Sequence, residues 1–165
     1  MINAGFTELL LGLLTILLVV AAVVDVRTYT ISNGLNAAVA LMAPLFWWSI
    51  GLPLWPDAAI QMGVAVGVFV LLAITFYMGM MGGGDVKLAA AITLWFPPFT
   101  TLRFLVMMSL AGGLLTIIVL LIHKIRGKAP IAEGEKPARV EVPYGVAIAA
   151  GALWILAQRF LNQFA

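Results

Sequence analysis

Six apolar runs fill most of this chain, at about Phe6–Val24, Leu35–Leu52, Ala58–Met80, Val86–Phe96, Leu102–Ile122 and Val142–Leu161. They constrain its fold more than anything else in the sequence. A run of about 20 apolar residues is long enough to cross a bilayer. In hydrocarbon, a backbone must satisfy its own amides, which restricts such a run to a helix. The expected fold is therefore all-α, a polytopic membrane helical bundle of about six transmembrane helices. Only 10% of the 165 residues are charged and 64% are hydrophobic, against about a quarter charged in ordinary soluble domains. No room is left for a separate soluble domain, so residues 1–165 read as one unit.

Each run carries its own punctuation. The first ends in Asp25-Val26-Arg27, and it lacks the basic start and small-residue cleavage site of a secretory signal, so it is expected to be a retained helix. The second closes at Pro53 with Trp47, Trp48 and Trp55 near its end, where aromatic rings favour the membrane-water boundary. The third contains Gly63 and Gly67 in G-x-x-x-G spacing, which predicts a packed interior helix. The fourth is too short for a full span and is stopped by Pro97-Pro98. The fifth carries Gly112 and Gly113 midway.

Basic residues set the orientation. Arg27, Lys87, Lys124, Arg126, Lys128, Lys136 and Arg139 fall at one set of loops, leaving Arg103 and Arg159, of nine in all, on the other. Short cytoplasmic loops are enriched in Lys and Arg, so both termini are expected outside and Asp25 and Asp85 at the cytoplasmic face. The polar stretch 123–141 reads as a solvated cytoplasmic connector. The net charge of +2 reflects these edges, and nucleic acid is not implied.

The chemistry rests on Asp25 and Asp85, 60 residues apart in sequence. An ionisable group at membrane depth is costly and marks a functional site by default. Two carboxylates sharing a site cannot both ionise cheaply, so one holds a proton and the other a charge. The charged one can take a proton from water while the other donates to a scissile carbonyl, which is general acid-base hydrolysis. The run Gly82-Gly83-Gly84 before the second acid is expected to adopt positive φ and admit a substrate closely. Asp85 also suits a helix N-cap; Lys87 reads as snorkelling to headgroups, and Asn33 as a turn or cap residue that could orient the first acid.

Other chemistries lack their parts. One histidine, His123, and no cysteine leave no zinc-protease or thiol constellation, and neither metal nor cofactor is expected. Ser32, Ser49 and Ser109 have no histidine partner in a suitable setting. Gly79 to Gly84 is followed by Asp85 in place of the Lys of a phosphate loop. From a different class, a small proton- or cation-coupled transporter or assembly subunit would also place acids between helices, though nearer mid-membrane.

Gly82-Gly83-Gly84-Asp85-Val86-Lys87-Leu88 resembles the G-x-G-D signature of type IV prepilin peptidases, the membrane aspartyl proteases that mature pilins and pseudopilins. Asp25 followed by Ile31-Ser32-Asn33 is similar to the segment of the family's first catalytic aspartate, with Ser32 in place of the common proline. Pro143-Tyr144-Gly145 resembles the Pro-aromatic-Gly stretch opening the family's last helices. The resemblance implies cleavage of a prepilin or pseudopilin leader after a glycine, at the cytoplasmic side of the inner membrane, in the company of pilus assembly machinery. It implies Asp25 and Asp85 as the catalytic pair, Gly82, Gly83, Gly84 and Lys87 as the active-site loop, and Ile31, Asn33, Pro143, Tyr144 and Gly145 as support. Many members also methylate the new amino terminus with S-adenosylmethionine and carry a cysteine-bearing insert between the first two helices. Here about ten residues, Asp25 to Gly34, join them, so the chain resembles the short, peptidase-only form of Flp-type (tight-adherence) pili. An archaeal-type preflagellin peptidase shares the same dyad logic.

Overall fold

A computed structural model describes residues 4–125 and 142–162, and every element in them is helical. The order is α1 Ala4–Thr28, α2 Asn33–Ile50, a wide turn Leu54–Ala58 leading into α3 Ala59–Tyr77, α4 Gly83–Thr93, α5 Pro98–Ile125 and α6 Tyr144–Leu161. Four of them, α1, α3 with its leading turn, α5 and α6, are long and apolar enough to cross a membrane.

The short helix lies at the centre. At 11 residues, α4 is only about 16 Å long, yet Val86, Leu88, Ala89, Ala90, Ala91 and Ile92 along it are all buried. Two tryptophans tie its far end to α2. The Trp47 indole donates to the Leu94 carbonyl at 2.7 Å, and the Trp95 indole donates to the Val39 carbonyl at 3.0 Å. Trp47 is thus a core residue, not the interfacial ring its position predicts, because its N–H finds a partner inside the bundle. Trp48 and Trp55 are exposed as expected. Beyond Phe96 the two prolines divide the labour: Pro97 precedes the helix and Pro98 opens α5, since proline is tolerated where the first amides have no helical partner.

Helix α3 corrects a second expectation. A Cβ on Gly63 or Gly67 would meet nothing within 4 Å, so no helix of the described residues packs on that pair. It is Gln61, Ala65, Val68 and Leu72 that are buried, while Val66, Val70, Leu71 and Ile74 are exposed. The helix is peripheral and lies mainly on α4.

Helices α5 and α6 run antiparallel. Gly112 lies against Tyr144, and a Cβ on Gly151 would come 2.9 Å from the Met108 amide nitrogen. With α6 beginning at Tyr144, the rest of α5 after Gly112 extends about 20 Å further. His123 and Lys124 belong to its last turn; residues 126–141 of the predicted connector lie outside the described residues.

Candidate active site

Asp25 lies in the last turn of α1 and is 1% exposed. The chain leaves α1 through Tyr29, whose φ of 51° is in the left-handed region, an uncommon conformation for a bulky residue. The Tyr29 amide still bonds the Asp25 carbonyl at 2.8 Å. Thr28 Oγ1 donates to the Val24 carbonyl at 2.9 Å, and Thr30 Oγ1 donates to Thr28 Oγ1 at 3.1 Å. This sharp exit turns Ile31 back into the bundle, where it is 7% exposed. Ser32 then caps α2, its side chain accepting from the Leu35 amide at 3.3 Å. A serine standing where the family resemblance has proline thus supplies a helix start of its own.

Asp85 is the third residue of α4, after the cap Gly82, and is 7% exposed. Its carboxyl reaches back to the Gly82 backbone N–H, the side-chain half of a capping box. The three glycines are required by close approach, and none of them has positive φ; in this segment the left-handed residue is Gly79, at 69°. A Cβ on Gly82 would lie 2.7 Å from Asp85 Oδ2, one on Gly83 3.3 Å from the Phe76 ring, and one on Gly84 2.7 Å from the Ile31 carbonyl oxygen. What comes close to this bend is the chain's own structure.

Gly145, in the first turn of α6, completes the assembly. A Cβ there would meet Ile31 Cδ1 at 2.7 Å and Asp25 Oδ2 at 2.8 Å. Ile31 is therefore a wedge between the start of α4 and the start of α6. The backbone amides of Gly145 and Val146 are directed at the Asp25 carboxyl. Each acid consequently faces the amino end of a helix, Asp25 that of α6 and Asp85 that of α4, where unpaired amides favour negative charge. Among the described residues, Asp25 Oδ2 has no hydrogen-bond partner.

The two carboxyls interact. Burial and, after it, the charge of Asp25 push Asp85 up to about 7 from 3.8, and α4, which carries it, is too short to span. Of two acids sharing a site, one holds a proton while the other bears the charge.

The remaining residues named from sequence divide. Gly82, Gly83, Gly84, Ile31 and Gly145 adjoin the acids, and Pro143 is the residue before α6. Tyr144 points its ring at Gly112 of α5. Asn33 accepts from Lys87 Nζ at 2.8 Å, so its side chain serves the lysine and not the first acid. Sequence reasoning passed over Asn36, which is buried and donates from Nδ2 to the Gly84 carbonyl at 3.0 Å. Its signal was an amide three residues after Asn33, on the same helical face.

The fold and site define a polytopic helical membrane protein with a buried acid pair at one end of the bundle. Residues 12–117 match the type IV leader peptidase family, and the chain belongs to that family. The matched range contains Asp25 and Asp85 and ends before Pro143-Tyr144-Gly145. A search of curated proteins and a search of solved structures each found no match.

Proposed function

We propose that the chain is a membrane aspartyl endopeptidase that removes the leader of a prepilin-like substrate after a glycine at the cytoplasmic membrane face, using Asp25 and Asp85 as a water-activating dyad. The observation that supports this reading is the convergence of the two acids, which start 60 residues apart in sequence, close enough in the folded chain for the charge of Asp25 to act on Asp85. In this mechanism Asp25, which faces the amides of α6, acts in its charged form and takes a proton from the attacking water. Asp85 keeps its proton and donates it as a hydrogen bond to the scissile carbonyl oxygen, where charge develops. The electron pair of the broken C–N bond leaves with the amine, which is protonated from the dyad, and water's oxygen stays on the leader's new carboxylate. The loop of about ten residues between α1 and α2, without cysteine, supports the short peptidase-only form serving Flp-type pili and no methyl transfer. The basic-residue asymmetry supports a dyad on the cytoplasmic side of the inner membrane, with both termini outside.

The test is cleavage by purified protein in detergent of a prepilin with glycine before the scissile bond, compared among wild type, Asp25→Asn and Asp85→Asn. Loss of cleavage in both variants, with folding retained, is the expected result.

A further inference from the structure

Helix α4 carries Asp85, yet the bilayer does not fix its depth. At 11 residues it covers about 16 Å of a hydrocarbon core about 30 Å thick, and Leu88, Ala89 and Ile92 on it are fully buried. A long helix takes its placement from matching apolar length to the bilayer and from interfacial anchors; a short buried one must take it from its neighbours. Here the fixing bonds come from α2, which bears neither acid. At the near end Asn36 Nδ2 donates to the Gly84 carbonyl at 3.0 Å, and at the far end the Trp47 indole donates to the Leu94 carbonyl at 2.7 Å. The donors are 11 residues apart in the chain and the acceptors 10, which is about 16 Å and about 15 Å along two helices running the same way. The two spacings match, so both bonds close in one register, and a slip of α4 by one residue, about 1.5 Å, breaks them together. Trp95 adds a third bond, to the Val39 carbonyl at 3.0 Å.

We infer that Asn36 and Trp47 are positioning residues of the dyad: by clamping α4 at both ends, α2 sets where Asp85 stands relative to Asp25. The inference rests on the peptidase reading above and adds to its machinery a helix that carries no catalytic group. Each bond sits where a clamp is effective. The Gly84 carbonyl belongs to the peptide unit that leads into Asp85, and the Leu94 carbonyl, past the last turn of α4, has lost the helical amide that would otherwise bond it. Trp47 acts nine residues beyond Asp85 along the chain, so its influence on cleavage passes through α4 moving as a body. A displacement of about 1 Å at a reacting group can cost about a hundredfold in rate.

Trp47→Phe and Asn36→Leu test this. The first removes the indole N–H and keeps an aromatic ring in the core; the second replaces the amide by an apolar chain of similar size. Trp48→Phe, at an exposed ring, is one control, and Phe104→Leu, which loosens the core at a fully buried position of α5, is the other. With a prepilin as substrate, each test variant is expected to lower kcat about tenfold at unchanged KM. The double variant should lose far less than the product of the two, because both act through one register. Trp48→Phe is silent, and Phe104→Leu lowers the thermal midpoint while keeping kcat. A second readout needs no substrate. The charge of Asp25 helps hold the proton on Asp85, so a displaced α4 narrows the difference in thermal midpoint between pH 5 and pH 8 in Trp47→Phe, and the pH at which cleavage falls moves down. Unchanged kcat in Trp47→Phe, a loss confined to KM, an equal loss of kcat in Phe104→Leu, or a wild-type pH dependence of unfolding in Trp47→Phe overturns the inference. If wild type cleaves no prepilin, the peptidase reading falls, and the unfolding comparison still decides whether α2 sets the placement of Asp85.

Discussion

The Ile31 carbonyl oxygen lies where a Cβ on Gly84 would come within 2.7 Å of it. The same residue reaches Gly145 with its Cδ1, so one side chain and its backbone set the spacing between the two helix starts that hold the acids. Contacts with backbone yield less than contacts with the tip of a side chain, and the two glycines should respond differently to alanine.

Gly84→Ala must displace main chain and is expected to reduce cleavage at least tenfold, with no rescue by Ile31→Val. Gly145→Ala also loses activity, but Ile31→Val removes Cδ1 and restores part of it, the Asp25 contact remaining. Initial rates of the two single and two double variants decide this. Equal rescue at both glycines contradicts the wedge.

The raised titration of Asp85 fixes the sign of a stability effect. Between 3.8 and about 7 the folded chain keeps a proton that the unfolded chain releases, so stability declines as pH rises through that window and the loss is complete above it. Asp85→Asn removes this dependence. Thermal unfolding in detergent should show the variant gaining more over wild type at pH 8 than at pH 5. Cleavage by wild type should likewise fall as pH passes about 7, because the hydrogen-bond donor is lost.

Asn36 and Lys87 separate a buried bond from an exposed one. Asn36→Ala deletes the donor to Gly84 from the interior and is expected to cost about 1–3 kcal/mol, together with reduced cleavage. Lys87→Met breaks an exposed bond to Asn33, worth about 0–1 kcal/mol at such sites, and should leave the rate within about twofold. Denaturation midpoints and kcat for the two variants check the order, which a larger effect at Lys87 would reverse.

Much of this was legible in the chain because hydrophobic length and proline are local signals. The six runs correspond to the six helices, although the fourth helix ends at Thr93, short of the prolines expected to stop it. The two acids and the glycines before the second were visible for the same reason, as costly residues in apolar surroundings. What stayed hidden depends on partners distant in sequence. The glycine spacing at Gly63 and Gly67 is identical whether a helix packs on it or lipid does. Trp47 could be placed inside only by its bond to Leu94. The bond of Asn36 follows from a register between α2 and α4, and the wedge of Ile31 from the meeting of the starts of α4 and α6, and no segment alone announces either. The purpose of Gly82–Gly84 was read as conformational freedom, whereas the folded chain uses their lack of Cβ to make room for Asp85, Phe76 and Ile31.

The central claim is that Asp25 and Asp85 act as one catalytic pair, and the most direct measurement is prepilin cleavage by wild type, Asp25→Asn, Asp85→Asn and the double variant, each shown to be folded. Groups acting as a unit are non-additive, so each single variant should lose cleavage as completely as the double. Substantial cleavage retained by either folded single variant would contradict the pair.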